Sequence, residues 1–381
     1  MKTEAHHESE RFFSPSYIVA RQRFRKAATS TGAALTQHPI KTTEPNQNLT
    51  IDVATIGSAD PTWTVVITSG LHGIEGFFGS AIQLAWLTQR ATRRPQKARG
   101  AVVLVHAVNP YGFACLRRTN EDNIDLNRNF FDSHESYTGA PDGYQALARF
   151  INPASPPTHR EFFRLKALWF ISRFGLPALK DAVASGQYRY PQGLFFGGHD
   201  PASSTRVIQH NLPKWIGRSV STLHVDLHSG LGRYGQHRLL LEKSEHPSEI
   251  GWYRDVFGDD VVEPAAGQRG TAYDTAGTLG QWAIRHLRKD YRFVNAEFGT
   301  YSIIRVLSAL RAENRAFFFD RPATGAYMTA KSNLLECFCP SSNRWRTQVI
   351  TQGLAIIDRS VRAQTMTEPA SHPRNSELGG N

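Results

Sequence analysis

No long uncharged apolar run occurs in this sequence and its mean hydropathy is negative, so no membrane span is predicted. The first residues, Met1 to Phe13, are polar and charged and lack the apolar stretch of a secretory signal. Cysteine is scarce: Cys115, Cys337 and Cys339 are the only three. An odd, small number is not a disulfide framework, and the simplest compartment for it is a reducing cytoplasm. Cys337 and Cys339 stand one residue apart, and on a strand both would point to one face. Two thiols alone make a poor zinc site, and buried small apolar residues are the plainer reading. Zinc-finger spacing and RNA-recognition signatures are absent, as are internal repeats. No G-x-S-x-G is present, which removes the nucleophile elbow of a serine hydrolase. No H-E-x-x-H is present, which removes the helix-borne zinc protease.

What remains suits one large α/β domain: 381 residues, of which 40% are apolar, enough for a sizeable core. The net charge is +11 and the pI near 9.7. The basic residues are spread along the chain, and the densest groups, Arg21 to Lys26 and Arg90 to Arg99, read as solvated helix faces or loops. The charge therefore predicts attraction of a small anionic substrate rather than a nucleic-acid or membrane partner.

Periodicity predicts a helix from Tyr17 to Ala34, with Ile18, Phe24 and Ala28 on one face. Leu49 to Ile56 and Thr62 to Thr68 read as strands, Gly76 to Gln89 as a helix, and Gly100 to His106 as a buried strand. Strand, loop, helix and strand in this order predict a parallel α/β sheet. Leu223 to Leu227, Leu239 to Leu241 and Phe293 to Glu297 read as further strands. The segment of about 132–219 has a different character, with a Pro-rich stretch at Asn152 to Pro157, a helical region near Arg160 to Arg173, and a Gly/Phe loop at Gly193 to Gly198. It reads as an insertion that covers a site. The expected organisation is a flexible arm at 1–15, a single catalytic domain at 16–362 and a disordered tail at 363–381.

Five segments carry chemistry. His72-Gly73-Ile74-Glu75 sits where a strand turns into a helix, and an imidazole and a carboxylate three apart there can converge on one point, which suits zinc. Gly70 and Gly73 allow the tight turn. Taken alone, the pair also reads as an ordinary surface pair. In Val225 to Gly230 a strand end delivers His228 to the carboxyl edge of the sheet, where ligands collect in open α/β sheets. His224, Asp226 and His228 share one face by the period of two. His228 is the candidate third ligand, Asp226 a partner behind it, and His224 a core residue. Arg118 to Phe130 is a dense polar loop whose two arginines and several asparagines can clamp a carboxylate and an oxyanion, or can simply hydrogen-bond an irregular turn. Glu297 ends an apolar strand, as a catalytic carboxylate or an edge charge. Tyr273 to Trp282 is a glycine-bearing loop with a phenol, followed by a helix.

Taken together and in order, H-x-x-E, R-x-N with D-L-N-R-N-F, D-L-H-S-G, the Tyr-and-Gly loop ending in Trp282, and the strand-terminal Glu297 resemble the zinc carboxypeptidase superfamily, which includes carboxypeptidase A, succinylglutamate desuccinylase and aspartoacylase. The phrases S-G-L-H-G-I-E-G-F-F-G-S, D-L-H-S-G-L-G and A-E-F-G-T more closely resemble its bacterial branch, domain of unknown function 2817. The resemblance runs from about Phe12 to Phe338. It implies a mixed, mostly parallel sheet of about eight strands with helices on both faces. It implies one zinc ion per chain on His72, Glu75 and His228. It further implies Arg118 as the group that polarises the scissile carbonyl, Asn127 and Arg128 as the carboxylate anchor, Glu297 as the catalytic carboxylate and Tyr273 as the mobile tyrosine. Two departures bear on the substrate: Gln281 replaces the usual acidic residue before Trp282, and a long insertion separates Phe130 from Leu223.

The implied reaction is amide hydrolysis, of a peptide end or of an N-acyl amino acid. Three protein ligands leave zinc an open position for water. Glu297 takes a proton from the zinc-activated water and passes it to the leaving nitrogen, while Arg118 and zinc stabilise the oxyanion. The expected partner is a small carboxylate-bearing amide or peptide. The alternative is an inactive member of the same fold, or a basic binding protein without enzymatic activity.

Overall fold

The computed structural model describes residues 9–41, 48–92, 99–132, 137–158, 162–175, 185–242, 247–264, 275–287, 290–322 and 324–366. The first helix, α1 (Tyr17–Ser30), starts at Ser16, whose side chain accepts from the Val19 N–H. It buries Tyr17, Ala20, Phe24 and Ala28, while Ile18 is 57% exposed. The expected stripe was therefore rotated: spacings of three and four starting from Tyr17 reach the core, and Ile18 lies about 100° round from that face. The helix also ends short of Ala34. Gly32 adopts φ +74°, a left-handed conformation that stops the helix, and Ala34 opens a strand instead.

That strand is β1 (Ala34–Pro39), followed by β2 (Thr50–Gly57), β3 (Trp63–Ser69), α2 (Gly76–Ala91), β4 (Ala101–His106) and the short α3 (Pro110–Ala114). Then come α4 (Asp142–Ile151), α5 (Phe163–Phe174), α6 (Ser203–Ile216), β5 (Ser221–Ser229), β6 (His237–Leu241), α7 (Pro247–Phe257), β7 (Val262–Glu263), α8 (Leu279–His286) and β8 (Tyr291–Phe298). Three helices close the chain: α9 (Ile303–Phe319), α10 (Gly325–Phe338) and α11 (Asn343–Met366). No helix among the described residues is long and apolar enough to cross a membrane.

The eight strands form one sheet in the order β1-β2-β4-β3-β5-β8-β6-β7. The central run β4-β3-β5-β8 is parallel throughout, as is the β6–β7 pair. β1–β2, β2–β4 and β6–β8 are antiparallel. The sheet is thus mixed and mostly parallel. The strand-helix-strand unit β3-α2-β4 is parallel as its order suggested, with β4 between β2 and β3 and β2 antiparallel to β4. Helices cover both faces. On one, Gly79 of α2 lies against Ser69 and Leu227, where a Cβ would sit 2.7 Å from the Ser69 Cβ. On the other, Thr64 Oγ1 donates to the Ile216 carbonyl at the end of α6, at 3.4 Å. Positions 64 and 69 point oppositely by strand alternation. With both faces covered, β3 and β4 are buried along their whole length, which explains the apolar runs Val65 to Ile67 and Ala101 to Val105 within them.

The 132–219 segment divides by packing. α6 belongs to the layer on the sheet. α4 and α5 pack beside α9 instead: Phe150 stacks on Phe163 at 5.2 Å and meets Phe170 at 4.8 Å. α5 buries Phe163 and Ala167, yet Phe162, Leu165, Leu168 and Trp169 are exposed. Towards the N-terminus Phe12 is buried, and Arg23 donates to the Phe13 carbonyl at 3.0 Å. Cys337 lies in α10 and Cys339 just past it, so the pair sits at a helix end rather than on a strand; both are buried and neither forms a disulfide. Burial pushes the Cys339 thiol up to about 12.

A buried ionic knot fixes the loop after α3. Glu313 of α9 accepts from Arg117 Nε at 3.0 Å and from Lys331 Nζ at 2.6 Å, and the Arg117 guanidinium lies 3.4 Å over the Phe317 ring. All three charged side chains are at most 4% exposed. Removing the shared anion leaves two buried cations. Glu313→Ala is therefore expected to lower the free energy of unfolding by about 3–5 kcal/mol, read by chemical denaturation. A change below about 1 kcal/mol would show that the knot contributes little.

Candidate active site

Four adjacent parallel strands end on the same edge of the sheet, and each delivers a chemically active group there. β3 runs into Gly70, at φ +64°, and then His72 and Glu75. Gly73 lies so close to Gly112 that a Cβ would meet its backbone at 2.2 Å, so only glycine fits. The amides of Gly73 and Ile74 donate to the carbonyls of Arg118 and Arg117 at 3.1 and 2.7 Å, which ties the β3 turn to the loop after β4. β5 carries His228 one residue before its end, and the β8 partner of His228 in register is Glu297.

His72, Glu75 and His228 are buried together, with ligand atoms all within 4.8 Å of one another. Both Nδ1 atoms face the Glu75 carboxylate: His72 at 2.8 Å from Oε1 and His228 at 3.1 Å from Oε2. Both Nε2 atoms face a second carboxylate. His72 Nε2 lies 3.2 Å from Asp125 Oδ1, and His228 Nε2 lies 2.7 Å from Asp226 Oδ2. Facing an ionised carboxylate, each Nδ1 donates to Glu75; the back-side pairing keeps the other proton on Nε2, so Nδ1 is the atom that would give up its proton to a metal, as metal-ligating histidines require. Arg118 Nη2 also lies 2.7 Å from His72 Nε2. One ring nitrogen cannot donate to Asp125 and accept from Arg118 together, so in the form that offers Nδ1 to a cation the proton goes to Asp125. Two imidazoles and one carboxylate are the donor set of a zinc centre that keeps an open position, and these residues fit it.

Behind His228 runs a chain of hydrogen bonds. Thr68 Oγ1 donates to Asp226 Oδ1 at 2.6 Å, so at 2.9 Å it accepts from His224 Nε2. His224 Nδ1 then accepts from Tyr291 Oη at 2.6 Å. Burial holds the His224 pKa down at about 4, consistent with the neutral ring this chain needs. His224 is a core residue, and its role there is to orient Asp226.

The electrostatics separate the two glutamates. Burial raises the Glu75 carboxyl, but His72 and His228 outweigh it and bring it to about 2. Burial and the neighbouring Glu75 charge push Glu297 up to about 7. Glu297 Oε1 accepts from the Leu231 N–H at 2.9 Å. Asp125 is also buried, yet Arg118, whose Nε donates to Oδ2 at 3.0 Å, and His72 hold it well below the usual carboxylate range.

Two cavities open on the cluster. The first, of about 80 Å³, is polar and is lined by Asn127, Arg128, Glu242, His72, His228 and Glu297 among others. Arg128 is 1% exposed, its Nη1 donates to the Asn127 carbonyl at 2.6 Å, and Gly186 packs on its stem. The Asn127 side chain accepts from the Leu279 N–H at 3.1 Å. Glu242 accepts from Thr278 and Asn295, each at 3.2 Å, and burial pushes its carboxyl up. The second cavity, which shares His72, Leu231 and Glu297 with the first, is apolar.

The structure therefore gathers His72, Glu75, His228, Arg118, Asn127, Arg128 and Glu297 around one edge. Tyr273 lies outside the described residues. Sequence reasoning missed Asp125 as the partner of His72, Glu242 in the polar cavity, and the chain Thr68–His224–Tyr291. The signal for Asp125 was available, two residues before Asn127. The other groups depend on strand register.

No curated protein matches the chain. Solved structures similar to it include carboxypeptidase A from Helicoverpa armigera, at 13% identity and TM-score 0.49, covering 93% of this chain and 74% of that one. Bovine thrombin-activatable fibrinolysis inhibitor is similar at 12% identity and TM-score 0.45, covering 92% and 98%. A metallo-carboxypeptidase from Pseudomonas aeruginosa is similar at 12% identity and TM-score 0.37, covering 89% and 68%. Residues 13–352 match the family described as "Protein of unknown function (DUF2817)", and the chain belongs to that family.

Proposed function

We propose that the chain is a zinc-dependent amide hydrolase, acting on a peptide end or an N-acyl amino acid, with one zinc on His72, Glu75 and His228. The observation that carries this reading is the position of Glu297. It stands beside the donor cluster but outside it, where the polar and apolar cavities meet. A carboxylate with a pKa raised towards neutrality at such a junction suits proton transfer rather than ligation. When bound, zinc supplies a Lewis acid and makes a water molecule more acidic. Glu297 accepts the proton of the attacking water and returns it to the leaving nitrogen. Arg118, braced by Asp125, offers its guanidinium to the carbonyl oxygen as negative charge develops there. Asn127 and Arg128 hold the carboxylate of the leaving group in the polar cavity.

Metal analysis tests the ligand set. Purified protein is expected to carry one zinc per chain, and His72→Ala and His228→Ala to carry almost none. Asp226→Ala, which removes only the orienting partner, is expected to weaken zinc affinity about 10–100-fold. Wild-type zinc content in both histidine variants would overturn the assignment.

A further inference from the structure

The apolar cavity differs in kind from the polar one. It has a volume of about 130 Å³ and opens on His72, Glu75, Arg118 and Glu297. Beyond those four, Ser229 is the only polar side chain on its described wall, and the Ser229 hydroxyl is spent on the Phe338 carbonyl at 2.7 Å. Most of the rest comes from the cover helices and α9, including Phe150 of α4, Phe170 of α5 and Leu307 of α9, with Phe195, Leu231 and Phe338 completing the wall.

We infer that this cavity takes an unbranched apolar acyl chain, so that the amide cleaved joins a fatty acyl group to an amino acid whose carboxylate enters the Arg128 pocket. The inference rests on the amide-hydrolase reading above and names its substrate class. Three observations converge on it. The cavity touches the reacting edge, so its occupant is part of the substrate. It shares His72, Leu231 and Glu297 with the Arg128 pocket but contains neither Asn127 nor Arg128, so with the carboxylate on Arg128 its occupant is the acyl side of the bond. Its wall offers almost no hydrogen-bond partner. A peptide on that side would bury an N–H and a C=O for every residue with nothing to pair them, at the cost of lost hydrogen bonds to water. A methylene chain has no such groups and gains from every carbon buried. Cover helices α4 and α5 thus supply selectivity by what they lack.

The test varies the chain on a fixed head. Acetyl, hexanoyl, octanoyl and decanoyl derivatives of glycine, phenylalanine, glutamate and lysine are assayed with full-length protein, with and without chelator. Within any head group accepted, kcat/KM is expected to rise about fourfold per methylene until the cavity is full. Ala167→Phe, which places a ring on the α5 wall, is expected to bring the decanoyl-to-acetyl ratio down towards one. Calorimetry gives a readout independent of turnover: decanoate binds the wild-type protein even in chelator, and acetate does not. Chelator-sensitive hydrolysis that is flat or falling with chain length, together with no decanoate binding, overturns the acyl cavity and leaves the amide-hydrolase reading standing. Chain-length-dependent binding of fatty acids with no hydrolysis of any amide sustains the chain site and overturns the hydrolase reading.

Discussion

Glu297→Gln is expected to keep its zinc and to lose about 10²–10⁴-fold in kcat, the range that a positioned proton carrier contributes. The substitution is nearly isosteric. Glutamine can still accept the Leu231 N–H that now meets Oε1 at 2.9 Å. It cannot take a proton from water. Glu297 is outside the group of three ligand-bearing side chains, so metal content has no reason to change. The informative pattern is therefore a split: turnover collapses while zinc stoichiometry and binding of an uncleaved ligand hold. A residue that merely braced the loop through Leu231 would give the opposite, with modest kinetic change. Near-normal kcat in the variant would remove Glu297 from the chemistry.

The second large effect concerns Arg128. Capping the carboxylate of a good substrate as its amide is expected to lower kcat/KM of the wild-type protein roughly 10²–10⁴-fold. That corresponds to two charge-assisted hydrogen bonds at about 1.5–3 kcal/mol each. The same capping is expected to cost Arg128→Lys much less, because an ammonium does not offer the planar fork. Lysine is preferred over alanine as the replacement. Arg128 is 1% exposed and packs on Gly186, and deleting its stem would open a hole in the loop. The competing role is structural, since Arg128 Nη1 also holds the Asn127 carbonyl and the Tyr188 hydroxyl holds the Arg128 carbonyl. A bracing arginine would weaken both substrates alike when replaced. Equal sensitivity to capping in the two proteins would rule the anchor out.

Much of the edge was legible because its groups sit in short segments. The pair at His72 and Glu75, the strand end at His228 and the carboxylate at Glu297 each stand in a segment where type and spacing speak locally. What escaped reading depends on lateral neighbours. Thr68, His224 and Tyr291 come from β3, β5 and β8, and only the order of those strands makes them a chain behind Asp226. Glu242 follows directly on β6, whose place beside β8 no local pattern reveals. The rotated stripe of α1 has a different cause. Ile18 is the most apolar residue near its start, but burial follows the stripe from Tyr17 rather than hydropathy alone. The acyl cavity was the least legible feature, because its apolar walls come mostly from α4, α5 and α9, which lie far apart in the sequence.

The wide spread of the cluster along the chain has a consequence for how the protein is made. Its donors lie on either side of a stretch running from His72 to His228, and the supporting carboxylate Asp125 lies between them. The parallel pairings β3–β4, β3–β5 and β5–β8 must all close before these groups meet, and such crossovers are slow, high-contact-order events. His72 and Glu75 are close in sequence, but the full donor set exists only once β5 has joined β3, so ion capture by the proposed site would come at the end of folding rather than at its start. An ion that binds only the finished sheet stabilises it by mass action, about 2.7 kcal/mol when free metal is a hundredfold above its dissociation constant. Metal supply would then govern the lifetime of the protein as well as its activity, because chains that finish without zinc open more often and meet proteases sooner.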